Sequence, residues 1–500
     1  MKSLIINTNL GKIKGFIADK INVFKGIPYA EAPIKSLRFK PPIEKKPWKN
    51  VFKARKFGVS SFQGPVLTEN LFGPLTKQSE NNCLTLNIWT PTTNDENLPV
   101  MFWIHGGGFI YSGSSRPIYD GHYLSKRGNV VVVTINYRLG IFGFLYIPDV
   151  MANLGMLDQI LALKWVKENI SHFGGDPNNI TIFGESAGAY SVMTLMSMPL
   201  AKGLFQKAIA QSPYAFEIEP PLRVAKRILE KLNCTIDTVK NLKKIPAKKL
   251  NKAQNQYLIE VMNTSESYYS NFRPCIDNKT IPTHPLNAIR NGSSNNVNLL
   301  LGTNENEAAY FTYLNPEFSN LNEEKLKLKL LIDLKRFNLE HKINDFIEYY
   351  KKPQNERKKL TPIEIYNKIY TNLYYNIPTI RYAEAQLKNN PNVFHYLFTW
   401  RSPMYKAACH SIDLPFIFGY LDKPNMKEFI GAKNKVKNIS DRMIDAWVNF
   451  AKSSSPNHEN IPEWHKYSLK ERNSMIIDEK FKIENLYNEE EMNLWKDFFR

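Results

Sequence analysis

The run Thr181-Ile182-Phe183-Gly184-Glu185-Ser186-Ala187-Gly188 constrains this chain more than any other stretch of it. A β-branched and aromatic strand ends there abruptly in a serine flanked by glycines. A serine on so sharp a strand-to-helix turn has strained backbone angles and leaves no room for a side chain two positions away on either side. Gly184 and Gly188 supply that room. The residues from Ala187 to Met198 are rich in Ala, Met, Leu and Ser and predict a helix. Its N-terminus would aim free amides and the positive end of its dipole at the serine oxygen, where a developing oxyanion is stabilised. A five-residue G-x-S-x-G match says little by itself. The strand before it and the helix after it make Ser186 a candidate nucleophile.

The segments around the serine belong to the same architecture. Pro99 to Ile104 is a continuous apolar run of the kind found in buried parallel strands, followed at once by His105-Gly106-Gly107-Gly108-Phe109. Consecutive glycines add nothing to packing, but they let a loop turn its amides toward a ligand. The amides of Gly107 and Gly108, with that of Ala187, would give an oxyanion three donors; a flexible glycine hinge is the plainer alternative. Val130 to Asn136 is a second buried strand, leading into Tyr137-Arg138-Leu139-Gly140. Asp158 to Ile170 carries apolar residues at helical spacing and runs through His172-Phe173-Gly174-Gly175-Asp176-Pro177 to the serine strand. Strand, helix and strand in succession predict a parallel sheet and the α/β class.

A nucleophilic serine needs a base, and the base needs a group that holds its tautomer. Of the nine histidines, His410 stands out, because it lies in a loop after the predicted strand Val393 to Trp400 and before Ser411-Ile412-Asp413-Leu414-Pro415-Phe416. Loops that follow strands carry chemistry in such folds. For the acid, the strand Val297 to Leu301 runs into Gly302-Thr303-Asn304-Glu305-Asn306-Glu307, so that either Glu305 or Glu307 qualifies.

The 500 residues are 43% apolar, with evenly spread aromatics and no linker, repeat or low-complexity tract. That predicts one domain over 1–500, with a helical insertion from Leu321 to Lys359 that forms part of a lid. The formal charge of +19 invites an anionic partner, yet the lysines are scattered in ones and twos. The densest groups, Lys243-Lys244, Lys248-Lys249 and Arg357-Lys358-Lys359, fall in predicted solvated helices. With no recognised motif or interleaved aromatics, the charge does not predict nucleic-acid binding. The first residues read as a strand rather than a signal peptide, and the apolar stretch Val130 to Ile147 is broken by Asn136, Arg138 and glycines, which argues against a membrane span. Four widely spaced cysteines, Cys83, Cys234, Cys275 and Cys409, predict free thiols, no metal site and a cytoplasmic location. Oligomeric state is not legible.

The chain resembles the type B carboxylesterases, the family of the bacterial p-nitrobenzyl esterases and the cholinesterases. Phe24 to Ala30, Leu37-Arg38-Phe39, Pro47-Trp48, Glu80 to Pro91, the His-Gly-Gly-Gly-Phe loop, Asn136 to Gly140, Leu157-Asp158-Gln159, Phe173 to Pro177 and Ala446 to Ala451 all look like its landmarks, in order and from end to end. The resemblance implies an α/β-hydrolase fold, in which a large, mostly parallel central sheet is flanked by helices, and chain order serine, acid, histidine. It also implies Ser186 as nucleophile, His410 as base and Glu307 as acid, because Asn306-Glu307-Ala308 falls where the family has Asp-Glu-Gly. Some features depart from the pattern. No cysteine precedes Cys83, so the disulfide of the animal members cannot form. No tryptophan stands between Gln63 and Cys83 to bind quaternary ammonium, which argues against choline esters. Pro213 and Ala308 replace customary glycines.

These readings predict a serine carboxylesterase that works through an acyl-enzyme without metal or organic cofactor, on a small-molecule ester. Hydrolysis of amides, carbamates or a specialised ester is the alternative within enzymes, and a non-catalytic binding protein the alternative outside them. Glu185 is expected to add negative charge beside the site, or to be a hydrogen-bonded carboxylate behind it. Phe109, Tyr111, Phe311 and Tyr405 are candidate pocket walls.

Overall fold

The computed structural model describes residues 3–498 apart from 65–68, 95, 216–219, 237, 263–270, 314 and 353–358. Its centre is a run of parallel strands: β6 (Leu98–Ile104), β7 (Val131–Ile135), β8 (Gly175–Glu185), β9 (Lys207–Gln211), β10 (Asn298–Asn304), β11 (Val393–Phe398) and β12 (Asn473–Ile477). An antiparallel wing of β1 (Ser3–Thr8), β2 (Gly11–Ala18), β3 (Ile21–Pro28) and β5 (Thr85–Thr90) extends it on one side, with the short β4 (Phe52–Lys53) beside β2. β13 (Lys482–Asn485) closes the other side. Among the described residues the order is β1-β2-β3-β5-β7-β6-β8-β9-β10-β11-β12-β13. The sheet is therefore mixed, with the predicted parallel part at its centre.

Burial follows from this order. The central strands β6 and β7 are buried and almost wholly apolar because helices cover both sheet faces, whereas the outermost β1 alternates and leaves Ile5 half exposed. Alternate residues feed two separate cores. Val100, Phe102, Ile104 and Ile182 face the helices Leu154–Asn169 and Ala187–Ser197 on one side. Met101, Trp103 and Phe183 face the helix Lys433–Ser453 on the other, with Trp447 among them.

Several boundaries differ from the sequence reading. The helix expected from Asp158 begins at Leu154, ahead of Gly155. Gly155 serves close packing rather than a loop, since a Cβ there would stand 2.4 Å from the Phe144 ring. The strand expected to reach Trp400 ends at Phe398, after which the Thr399 amide still donates to Ile477 O at 3.0 Å. Within the stretch 321–359 the helices are Glu323–Lys335 and Ile343–Lys351, joined by a 3₁₀ turn. Lys248 and Lys249 lie in the helix Ala247–Met262, and Arg357 and Lys358 lie outside the described residues. All four cysteines are free thiols, three of them buried. Among the described residues no helix is long and apolar enough to cross a membrane.

Candidate active site

Ser186 stands where β8 gives way to the helix Ala187–Ser197, at φ 57° and ψ −123°. Few L residues tolerate that conformation, and strain of this kind gathers at functional sites. The turn is pressed against the end of β6. A Cβ on Gly188 would lie 2.0 Å from Ile104 O, and one on Gly184 would lie 2.5 Å from the Gly188 carbonyl carbon. Only glycine fits either place. The Ser186 amide donates to Gln211 O at 2.9 Å, and its carbonyl accepts the Tyr190 amide, so the elbow is tied to β9 and to its own helix.

The glycine loop follows β6 directly. Gly107 and Gly108 have φ of 100° and 59°, and a Cβ on Gly107 would meet Tyr111 O at 2.1 Å. The loop curls back on itself, because Gly107 O accepts the amides of both Ile110 and Tyr111 at 3.1 Å. Gly107, Gly108, Ser186, Ala187 and His410 all line one cleft of about 760 Å³, its open mouth included.

His410 reaches this cleft from the segment after β11. Its Nδ1 lies 2.6 Å from Glu307 Oε2. Glu307 is fully buried, and its other oxygen accepts the Asn304 amide at 2.7 Å and the Ser212 hydroxyl at 2.5 Å. Glu305 takes no part, since it pairs with Arg401 at 3.3 Å on the outside. The His410 ring is boxed in by Tyr375 and Phe311, with centroids at 5.1 and 5.5 Å. Tyr375 is placed there by a π-helical turn, Asn372–Asn376, between the helices Pro362–Thr371 and Ile377–Leu387. Wide turns of this sort recur at functional sites.

A second carboxylate meets the other side of the ring. Glu185 Oε1 lies 3.3 Å from His410 Nε2 and accepts the Ser411 hydroxyl at 2.5 Å. Burial pushes the Glu185 carboxyl up to about 7, against the pull of His410. Burial alone would depress His410, but Glu185 and Glu307 outweigh it and raise the imidazole to about 9. Behind them Asp413 is raised to about 6 by burial, while Gln211 Nε2 donates to it at 2.6 Å. Trp447 Nε1 donates in turn to Gln211 Oε1 at 3.2 Å, which links the site to the core on the far face of the sheet.

Phe109, Tyr111 and Phe311 line the cleft as expected. Tyr405 does not; it stacks behind Tyr310 with centroids 5.7 Å apart and packs on Phe429. Sequence reasoning passed over Ser212, Ser411, Arg116 and Arg273. Ser212 had a positional signal alone, since it follows the apolar run Ala208-Ile209-Ala210 of β9, the strand beside the one that leads into Ser186. The two arginines had none.

With this geometry in view, the comparisons with known proteins decide the family. The profile of the Carboxylesterase family matches residues 2–495. The chain belongs to the carboxylesterase family. It is 37% identical to a para-nitrobenzyl esterase of Bacillus subtilis, over 97% of each chain. It superposes on a solved thermophilic PNB esterase with a TM-score of 0.86 at 36% identity, over 99% of each chain. A carboxylesterase of Geobacillus stearothermophilus gives 0.87 at 34% identity, over 98% of this chain and 99% of the other. This carboxylesterase has the α/β-hydrolase fold and is a carboxylic ester hydrolase.

Proposed function

We propose that the protein hydrolyses small-molecule carboxylic esters by a two-step acyl transfer on Ser186. His410 Nε2 takes the hydroxyl proton as Oγ attacks the ester carbonyl, and Glu307 on Nδ1 stabilises the imidazolium that forms. The amides of Gly107, Gly108 and Ala187 receive the tetrahedral oxyanion. The imidazolium returns its proton to the leaving alkoxide, and water repeats the sequence on the acyl-enzyme. No step requires a metal or an organic cofactor. The chain works as one unit over 1–500, with the helices of 321–359 as an insertion, and the location proposed is cytoplasmic.

The observation that carries the reading is the position of His410. One ring nitrogen is engaged by a fully buried carboxylate, and the ring lines the same cleft as a serine in a strained elbow. The experiment is turnover of p-nitrophenyl esters from acetate to long chains by the wild type and by Ser186→Ala. Nucleophile removal in such triads costs on the order of 10⁴ to 10⁶ in kcat. A folded variant that keeps more than about a tenth of the wild-type rate excludes Ser186 as nucleophile.

A further inference from the structure

The helix Glu323–Lys335 is apolar on two opposite faces, and the fold uses one of them. Leu326, Leu330 and Leu334, spaced by four, are fully buried. On the same side Asp333 accepts the hydroxyls of Tyr366 and Tyr374 at 2.8 and 2.9 Å. Tyr374 stacks in turn on Tyr214 of the cleft wall, with centroids 4.9 Å apart. The helix is thus seated firmly on the layer behind the cleft.

The outer face is apolar as well. Leu328, Leu331 and Ile332 are 57%, 42% and 37% exposed, and spacing by three and four places them side by side. Elsewhere among the described residues the exposed large apolar side chains stand singly, as is normal on a protein surface. Exposed lysines frame this stripe: Lys325 lies three residues before Leu328, Lys335 lies three after Ile332, and Lys327 borders it. Lys329, by contrast, is turned to Glu317 at 3.0 Å and over the Phe318 ring. Of the acids at the start of the helix, Glu323 is held by Lys351 at 2.9 Å, so the three lysines face Glu324.

Apolar side chains ringed by lysines match an anionic lipid surface, which has a negative headgroup layer over hydrocarbon. Lysine stems lie along the apolar layer while their ammonium groups reach the phosphates. A second copy of the chain fits worse. Lysine is depleted from protein interfaces, three side chains cover a small part of the roughly 800 Å² that a stable interface buries on each partner, and two chains of charge +19 repel.

We propose that the outer face of the helix Glu323–Lys335 docks on an anionic lipid bilayer. Leu328, Leu331 and Ile332 enter the headgroup boundary, and Lys325, Lys327 and Lys335 meet the lipid phosphates. Such binding is peripheral and needs no spanning segment. It is independent of the esterase reading, because it is measured without turnover.

The test is cosedimentation of the full chain, at physiological salt, with vesicles of phosphatidylcholine alone and of phosphatidylcholine mixed with phosphatidylglycerol. The wild type is expected to partition onto the mixed vesicles and to stay in solution with phosphatidylcholine alone. Two triple variants divide the surface. One combines Leu328→Gln, Leu331→Gln and Ile332→Gln, and the other Lys325→Gln, Lys327→Gln and Lys335→Gln. Each is expected to lower the partition coefficient about tenfold or more, the first through lost apolar burial and the second through lost attraction to the phosphates. Thermal unfolding of both should match the wild type, because all six side chains are exposed and glutamine suits a helix. Wild-type binding to neither vesicle, equal binding to both, or binding that survives either variant overturns the proposal. Sedimentation velocity without lipid tests the second copy. A dimer that the apolar variant dissociates assigns the stripe to that contact and overturns the proposal too.

Discussion

Glu185 holds its carboxylate 3.3 Å from His410 Nε2, on the side of the ring opposite the nitrogen that Glu307 occupies at 2.6 Å. The imidazole is thus flanked by two carboxyl groups in a buried site, and both raise it above its ordinary value. In the proposed mechanism the base must be neutral to accept the serine proton, so Glu185 is expected to raise the lower pH limit of activity.

Glu185→Gln is expected to move the acid limb of the kcat/KM profile to lower pH by about one unit, since it removes the larger of the two Coulombic supports of the imidazolium. The measurement is kcat/KM for a neutral p-nitrophenyl ester across pH 6 to 10.5, which brackets an imidazole at about 9. An acid limb that stays in place or moves up contradicts the role given to Glu185.

The same residue makes a prediction about stability. A carboxyl raised on folding from 4.5 to about 7 contributes stability that is full below 4.5 and is lost as pH rises toward 7. Glutamine lacks that dependence. Between pH 4.5 and 6.5, before His410 begins to titrate in an unfolded chain, the stability of Glu185→Gln relative to the wild type should rise with pH. Urea unfolding at the two ends of the window reads this directly, and a relative stability that falls with pH counts against the buried, raised carboxyl.

Glu307→Gln and Glu305→Gln separate the two acids that the sequence left side by side. Removing the charge from the orienting acid of a triad costs about 10⁴ in kcat, so that loss is expected at Glu307. Glu305 pairs with a largely exposed Arg401, and its substitution is expected to change kcat by less than about twofold, in keeping with the small worth of surface ion pairs. The reverse order of damage would dismiss Glu307.

Gly188→Ala tests the elbow as a packing device. The added methyl would stand 2.0 Å from Ile104 O, and backbone cannot yield as a flexible side chain does. A loss of about 3 kcal/mol or more is expected in denaturant unfolding, the upper range for overpacking. A variant as stable as the wild type would show that the turn is looser than described.

The parallel core and the elbow were legible in the sequence because they are local. Apolar runs bounded by glycines give the central strands, and Gly184 and Gly188 declare the turn through the room they leave. His410 and the pair Glu305 and Glu307 stood in loops after strands, where their order along the chain suggested a joint role, and only the family resemblance chose Glu307. Other parts depend on contacts remote in sequence. Ser212 meets Glu307 across 95 positions, and Ser411 meets Glu185 across 226. Nothing near either serine announces its partner. Arg116 and Arg273 read as two among 66 basic residues, and Tyr405 as an aromatic equal to its neighbours. Only the packing of separate segments puts the arginines in the cleft and Tyr405 behind Tyr310.

If Ser186 carries the acyl group, a covalent inhibitor of serine esterases must stop at that residue. The protein is treated with a p-nitrophenyl dialkyl phosphate, released p-nitrophenolate is counted against protein, and the modified peptide is located by mass spectrometry. One equivalent is expected to be released per chain, with the label on Ser186, and no label and no esterase activity in Ser186→Ala. A label on another residue, or esterase activity that survives in a folded Ser186→Ala, would contradict it.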